Sequence, residues 1–135
     1  MKIRGIDHVS INVKDRAASA AFYEEVLGMR RLQTVPMDAD TAMPFSITYF
    51  EIPGGGRLEL FDYGGKNGDA PREESDAGLR HLAFRVDDVK AAEKMLRDKD
   101  VKIVLSTTDI APLGARVLLF LDPNGVTLEF CQEMK

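Results

Sequence analysis

The sequence predicts an α+β fold made of two tandem βαβββ modules, and the prediction rests on an internal repeat and on the periodicity within each half. One block recurs at a constant spacing: Gly5 as Gly78, His8 as His81, Val13 as Val86, Asp15 as Asp88 and Ala18 as Ala91. A second block recurs at a slightly shorter constant spacing: Phe50 as Phe120, Pro53 as Pro123, Gly55 as Gly125, Leu58 as Leu128 and Glu59 as Glu129. The blocks keep their order, which favours duplication over chance, and the difference in spacing indicates a small deletion in the second half.

The first module, residues 1–63, begins with a strand and a capped helix. Residues 7–13 alternate, which predicts a strand with one face toward the core: Val9, Ile11 and Val13. Asp15 suits the N-cap of the next helix, and Gly28 suits the position just past its end. The apolar stripe of that helix is predicted at a spacing of four residues: Ala18, Phe22 and Val26. Three further strands are predicted at 30–35, 45–52 and 57–63.

The second module, residues 79–135, repeats this order after a connecting loop at 64–78. The loop is rich in Gly, Asp and Glu; its composition permits a lid over a site and equally a plain connector. A strand over 81–86 precedes a helix capped by Asp88, with its stripe at Val89, Ala92 and Leu96. Strands are predicted at 101–105, 116–121 and 126–131, so the 135 residues form a single domain.

Charge and cysteine content exclude several classes of partner. The formal net charge of −4 argues against nucleic acid and against an anionic membrane surface, since both require a basic patch. The chain has one cysteine, Cys131, so it has no intrachain disulfide, which suits a reducing cytoplasm. The sequence shows neither a signal peptide nor a membrane-spanning run. We therefore expect a cytoplasmic protein.

Strand periodicity brings four ligand-type residues to one side of the sheets. Glu59 lies between Leu58 and Leu60, and Glu129 has the same kind of neighbours, so both carboxylates point away from the core. His8 and His81, the two histidines of the chain, also lie opposite their apolar faces. Two imidazoles and two carboxylates suit one divalent ion such as Zn, Ni, Fe, Mn or Co, with positions left for water or substrate. We therefore predict a catalytic metal centre.

Weaker candidates share the faces of the predicted ligands and are offered as substrate contacts, chiefly Asn12, Tyr63 and Arg85. For each of them a solvated strand surface is an equally good explanation. The same holds for the remaining residues on these faces: Ser10, Phe61, Thr127 and Cys131.

The segments IDHVSINV, FYEEVLGM, GRLELFDY, LRHLAFRVDD and LDPNGVTLEF resemble the vicinal-oxygen-chelate superfamily, over nearly the whole chain. The superfamily includes glyoxalase I, methylmalonyl-CoA epimerase, extradiol dioxygenases and bleomycin-resistance proteins. The resemblance implies that the two modules form a curled sheet around a metal site. It also implies a homodimer, often with the site shared between chains.

The resemblance further implies a glyoxalase I-like lyase or isomerase that acts on a small carbonyl–thiol adduct through a metal-stabilised enediolate. One ligand carboxylate, Glu59 or Glu129, would be the base, and the sequence leaves open which. Glutathione-using members have Arg four positions after the first His ligand and Asn four positions after the first Glu ligand. This chain has Asn12 and Tyr63 there, which puts glutathione in doubt.

Three alternatives remain open. An acyl-CoA epimerase, such as methylmalonyl-CoA epimerase, needs a similar site and basic residues for the CoA phosphates. An extradiol dioxygenase-like site uses two His and one Glu, so Glu59 would be a surplus ligand, and such chains are longer. A non-catalytic resistance or binding protein would lack the metal, but this chain has no Trp and few aromatic residues for binding a flat ligand.

Overall fold

The computed structural model describes residues 1–37, 45–65, 68, 73 and 75–135. The chain divides into two compact units, Met1–Asp69 and Ala70–Lys135. Part of the predicted connecting loop at 64–78 therefore lies outside the described residues. None of the helices in the described ranges is long and apolar enough to cross a membrane.

The first unit has the predicted βαβββ order. Its elements are β1 (His8–Val13), α1 (Arg16–Ala21), which continues as a π-helical turn (Phe22–Val26), β2 (Arg31–Met37), β3 (Phe45–Glu51) and β4 (Arg57–Asp62). The sheet order is β1-β4-β3-β2, with β1 parallel to β4 and the other neighbours antiparallel. Helix α1 contacts β4, so the apolar face of the sheet is covered by the helix.

The predicted phase of the first helix was partly wrong. Asp15 is the N-cap and accepts a hydrogen bond from the Ala18 backbone N–H, as expected. Ala18, however, is exposed, and the buried side of the helix is formed by other residues: Ser19, Ala20, Phe22 and Tyr23. Ser19 and Tyr23, both fully buried, are four residues apart, so the predicted stripe was one residue out of phase with the buried face. Beyond them the helix widens, and the backbone N–H of Leu27 bonds to the carbonyl of Phe22, five residues back.

The second unit repeats the same architecture, which confirms the predicted fold class. Its elements are β5 (Leu82–Arg85), α2 (Val89–Asp98), β6 (Ile103–Ile110), a short 3-10 turn (Ala111–Leu113), β7 (Ala115–Leu121) and β8 (Thr127–Glu133). The sheet order is β5-β8-β7-β6, the same pattern as in the first unit. Strand β6 is longer than predicted, because bulges let it pair with β7 well beyond Leu105.

Tight turns set the start of β4 and β8, the strands that carry the two glutamates. A Cβ at Gly56 would meet the Asp7 carbonyl oxygen at 3.1 Å, and the residue has a φ of +82°, so glycine is required there. This close approach allows the Arg57 N–H to bond to the Asp7 carbonyl beside His8. In the second unit, Asp122 accepts from the N–H groups of Asn124 and Val126 and holds the turn before β8.

Candidate metal centre

The first unit brings His8 and Glu59 together on one face of its sheet. Strand β1 runs parallel to β4, with Ser10 in register with Glu59. The imidazole Nε2 of His8 lies 3.6 Å from Oε2 of Glu59. Leu58 and Leu60, on the opposite face of β4, are fully buried. The predicted orientation of Glu59 is therefore confirmed, although its side chain is only 6% exposed rather than solvated.

Polar groups surround this first pair on several sides. The Ser10 hydroxyl donates to Oε2 of Glu59 at 3.3 Å, and Nη2 of Arg57 lies 3.8 Å from Oε1. On the far side of the imidazole, Nδ1 of His8 lies 2.7 Å from the Asp7 carboxylate. That hydrogen bond, with the nearby Arg57 guanidinium, lowers the pKa of Asp7. A carboxylate on the outer nitrogen of a histidine orients the ring so that its other nitrogen can bind a metal.

The second unit brings His81 and Glu129 together at the matching place. His81 directly precedes β5, and the imidazole Nε2 lies 2.8 Å from Oε2 of Glu129 on β8. Ala83 is in register with Glu129, as Ser10 is with Glu59. The side chains of His81 and Glu129 are 25% and 15% exposed, so both are largely shielded while still accessible.

The second imidazole leaves one polar atom without a partner. Nδ1 of His81 is buried and has no hydrogen-bond partner within the described part of the chain. An unpaired buried polar atom costs about 1–3 kcal/mol and is rare in proteins, so it is informative where it occurs. Within the described residues, the polar contact of this imidazole is therefore the one between its Nε2 and Glu129.

The donor separations within each pair are close to those of adjacent ligands of one cation. Metal–nitrogen and metal–oxygen bonds of about 2.0–2.2 Å place neighbouring donors roughly 3–3.5 Å apart. The two pairs have nitrogen–oxygen separations of 3.6 Å and 2.8 Å. Among residues 1–37, 45–65, 68, 73 and 75–135, no group of three or more His, Cys, Asp or Glu side chains is arranged to hold a metal. The four-residue centre stays a prediction, and what the described residues form is two pairs.

The weaker substrate candidates have different surroundings. Asn12 is exposed on β1 in register with Phe61, and Arg85 is exposed on β5 in register with Cys131. The ring of Tyr63 lies 5.3 Å from that of Phe45, which also stacks on Phe61 at 5.4 Å. The position that holds Asn in glutathione-using members is thus part of an aromatic cluster here.

Sequence reasoning missed two residues that contact the first pair, Asp7 and Arg57. Both were visible as signals, since Asp7 adjoins His8 and Arg57 is two residues from Glu59 on the same face of a strand. The guanidinium of Arg57 also lies 4.9 Å from the ring centroid of Tyr49, which is in register with Glu59. This stacking holds the cation beside the carboxylate.

Comparisons with known proteins identify the family to which this fold belongs. The family model described as "Glyoxalase/Bleomycin resistance protein/Dioxygenase superfamily" matches residues 5–130. The protein YaeR of Escherichia coli is 32% identical over 132 residues, which is 97% of this chain and 98% of YaeR. A glyoxalase family protein from Enterococcus faecalis has a solved structure with a TM-score of 0.79 and 26% identity, covering 97% of this chain and 99% of that one.

Two relatives have named activities. The mitochondrial methylmalonyl-CoA epimerase of Mus musculus is 28% identical over 141 residues, covering 97% of this chain and 74% of the epimerase. The lactoylglutathione lyase of Schizosaccharomyces pombe is 26% identical, covering 95% of this chain but 47% of the lyase.

Proposed function

Because this chain belongs to the Glyoxalase/Bleomycin resistance protein/Dioxygenase superfamily, we propose that it is a metal-dependent enzyme that moves a proton at a carbon next to a carbonyl group. The observation that carries the proposal is the repeated pair of histidine and glutamate. Their nitrogen–oxygen separations, 3.6 Å in the first unit and 2.8 Å in the second, are within a few tenths of an ångström of those expected for adjacent ligands of a cation.

The proposed ligands of one divalent cation are His8, Glu59, His81 and Glu129. This donor set, two imidazoles and two carboxylates, suits Zn, Ni, Fe, Mn or Co. When bound, the ion supplies positive charge that stabilises negative charge developing on substrate oxygens. The unpaired Nδ1 of His81 supports a functional role for that ring.

We assign the role of base to Glu129 and an anchoring role to Glu59. Glu59 accepts a hydrogen bond from Ser10 and lies beside Arg57, so its carboxylate is held in place by groups of its own unit. Glu129 is in register with Ala83, which has no polar side chain to restrain the carboxylate. A base must reach the carbon to take the proton and return it. The contact of Glu129 is with a proposed ligand, His81, at 2.8 Å, rather than with a serine and an arginine, and we therefore propose Glu129 for this step.

The first candidate reaction is glyoxalase I-like isomerisation of a small carbonyl–thiol adduct. Glu129 would take a proton from the carbon that bears sulfur and return it to the neighbouring carbon. Glutamates in both carboxylate positions favour this reaction over that of a dioxygenase site with one glutamate.

We further propose that the protein is a homodimer located in the cytoplasm. The single cysteine, Cys131, is consistent with a reducing compartment.

Epimerisation of an acyl-CoA is the second candidate, and two specific observations favour it. The chain aligns along 97% of its length with a methylmalonyl-CoA epimerase. Asn12 and Tyr63 replace the Arg and Asn expected for glutathione, and Tyr63 is engaged with Phe45. In an epimerase a proton is removed from one face of the α-carbon, and a proton is then delivered to the opposite face of the same carbon.

The deciding experiment supplies each substrate to protein loaded in turn with Ni, Zn, Fe, Mn or Co. Methylglyoxal with glutathione and methylmalonyl-CoA are incubated in heavy water, and NMR follows product and deuterium at the reacting carbons. Turnover of the thiol adduct alone supports the first candidate, whereas exchange only at the acyl-CoA α-carbon supports the second. Absence of bound metal after purification, with no response to added metal or chelator, would instead identify a non-catalytic binding protein.

A further inference from the structure

A cavity of about 340 Å³ lies in the first unit, between α1 and the strands β2 and β3. It is lined by Arg16, Ala17, Ala20, Arg31, Thr34 and Thr48. Thr48 is in register with Leu60 of β4 and therefore lies on the face of the sheet that carries the helix. Glu59 points to the opposite face, so this cavity is separate from the candidate metal centre.

The polar groups that line the cavity are mostly hydrogen-bond donors. Oγ1 of Thr34 lies 2.9 Å from Oγ1 of the buried Thr48. One hydroxyl donates in that bond, and the accepting hydroxyl retains a proton that an acceptor in the cavity would satisfy.

Two guanidinium groups add positive charge to the same lining. Within the described part of the chain the contacts of Arg16 are long: 3.8 Å from its Nε to Asp62 and 3.4 Å from its Nη1 to Ser46. Nε of Arg31 lies 2.7 Å from Glu24, and a guanidinium has further N–H donors available. The cavity therefore presents donors and cationic groups to whatever occupies it.

The second unit shows what fills the corresponding place there. Ala20 lies five residues after the helix cap Asp15, and Glu93 lies five residues after the cap Asp88. The Glu93 carboxylate accepts bonds from the hydroxyl and the backbone N–H of Thr107. Nε and Nη2 of Arg97 donate to the same carboxylate at 2.9 and 2.6 Å.

The threonines of the two units occupy matching places on the edge strands. Thr34 is in register with Thr48 of the neighbouring strand. In β6 the pairs flanking the bulge are Leu105 with Leu119 and Thr108 with Val117, so Ser106 and Thr107 lie opposite Leu118. Leu118 is the repeat partner of Thr48, at the same spacing that relates Glu59 to Glu129.

The hydrogen bonds in the second unit stabilise the ionised carboxylate strongly. Donation from Thr107, with a further contribution from Arg97, lowers the pKa of Glu93 to about 2. A threonine hydroxyl with a guanidinium thus forms an oxyanion-binding arrangement inside this protein. The first unit keeps the threonine, but it has Glu24 at the repeat position of Arg97 and Ala20 where the carboxylate would begin. Its guanidinium groups come from other positions, Arg16 and Arg31.

We propose that the cavity of the first unit binds a small oxyanion, a carboxylate or a phosphate group, through Arg16, Arg31 and the Thr34–Thr48 pair. The bound anion takes the place that the Glu93 carboxylate fills in the second unit. The volume is at the lower end of the range for small-molecule sites, so it accommodates a compact metabolite that carries the anionic group.

The test titrates the full chain with inorganic phosphate and, separately, with acetate, at constant ionic strength, and follows amide chemical shifts of α1 and β2. Arg31→Met and Thr48→Val remove a charge and a hydroxyl from the lining. Ala20→Glu places a tethered carboxylate in the cavity. Arg30→Met is the matched control, because Arg30 adjoins Arg31 in sequence but pairs with Glu51 outside the cavity.

We expect saturable chemical-shift changes with at least one of the two anions. The anion that binds with the lower dissociation constant identifies the anionic group that the cavity prefers. Arg31→Met should weaken binding by about tenfold or more, as expected for loss of a charge-assisted contact, and Ala20→Glu should abolish it. Arg30→Met should leave it unchanged. If Ala20→Glu does not fold, Thr48→Val replaces it as the test, because this variant preserves the shape of the side chain and should weaken binding by removing a hydroxyl.

The titration is repeated in the presence of chelator and with Glu129→Gln, so that binding at a metal cannot imitate the result. Binding that survives both supports the cavity site whatever the enzymatic activity proves to be. The proposal is overturned if neither anion gives saturable shifts, or if Arg30→Met weakens binding as much as Arg31→Met does.

Discussion

The two histidine–glutamate pairs occupy equivalent places in the repeat but have different neighbours. In the first unit, Asp7 holds the outer nitrogen of His8, and Ser10 and Arg57 contact Glu59. In the second unit the position of Ser10 is taken by Ala83 and that of Arg57 by Thr127, two residues before Glu129. The repeated backbone places the four residues at equivalent positions, whereas the neighbouring side chains differ and determine the contacts that each one makes.

This difference suggests a division of labour between the two units. A carboxylate restrained by a hydroxyl and a guanidinium is suited to hold a ligand position, because its geometry is set before anything binds. The carboxylate of Glu129 instead contacts a proposed metal ligand, His81, at 2.8 Å, and has an alanine in register with it. Variants of the two pairs can test whether the first pair mainly holds the metal and the second pair mainly transfers the proton.

The largest effect is expected from Glu129→Gln. Loss of a general base lowers kcat by about 10²–10⁴-fold, while the amide oxygen still offers the metal a neutral ligand. The measurement is kcat and metal content on the same preparation. Glu59→Gln is the matched variant in the other unit, and we expect its main effect to be on metal content. Equal loss of kcat at equal metal occupancy in the two variants would contradict the assignment of the base to Glu129.

The next effect concerns metal affinity. His8→Ala should lower metal occupancy outright, since it removes a ligand. Asp7→Asn removes the carboxylate behind that ligand and should weaken the metal about 10–100-fold. Competition with a chelator measures both. Asp98→Asn removes the same charge from an exposed pair with Lys94 and is the control. Unchanged affinity in Asp7→Asn would mean that Asp7 only pairs with Arg57 at the surface.

A third comparison concerns stability and contrasts the filled place in the second unit with the cavity in the first. Glu93→Gln removes a carboxylate that bonds to Thr107 and Arg97, and should lower the free energy of unfolding at pH 7 by about 1–2 kcal/mol. Because folding lowers the pKa of Glu93 from 4.5 to about 2, this stabilisation is complete above pH 4.5. It is lost as the pH falls toward 2.

Urea unfolding of the wild type and of Glu93→Gln between pH 7 and pH 2 measures this dependence. The difference in unfolding free energy should shrink as the pH falls. A pair on the solvent side of the same helix, Lys94 with Asp98, is the reference, and Asp98→Asn should change stability by less than about 0.5 kcal/mol. A constant difference for Glu93→Gln over the whole range would show that the carboxylate is not the stabilising group.

The repeat and the strand faces could be predicted from the sequence, because both depend on local periodicity. Val13 and Leu58 are fully buried on the predicted core faces, and Asp15 caps the predicted helix. The contacts of Asp7 with His8 and of Arg57 with Glu59 are between near neighbours in the sequence and were overlooked. The contact between Arg57 and Asp7 could not be derived in this way, because it depends on the close approach at Gly56 of segments that are far apart in the sequence.

The cavity beside Ala20 was unpredictable for a related reason. Its existence depends on the phase of α1, which buries Ala20 where the sequence pattern predicted Ala18. It depends also on which side chain each unit presents at one helical position, and an alanine on a buried stripe gives no sign of a void. Only the alignment of Ala20 with Glu93, after the caps of both helices are known, makes the difference visible.

The smallest expected effect comes from exchanging the residues in register with the two glutamates. Ala83→Ser should add a hydroxyl that donates to Glu129, as Ser10 does to Glu59, and thereby restrain the base. One neutral hydrogen bond is worth about 0.5–1.5 kcal/mol, so kcat should fall by about 2- to 10-fold. Ser10→Ala should leave kcat nearly unchanged and weaken metal binding by a similar factor, as chelator competition would measure. If Ser10→Ala lowers kcat more than Ala83→Ser does at full metal occupancy, Glu59 rather than Glu129 is the carboxylate whose basicity limits the reaction.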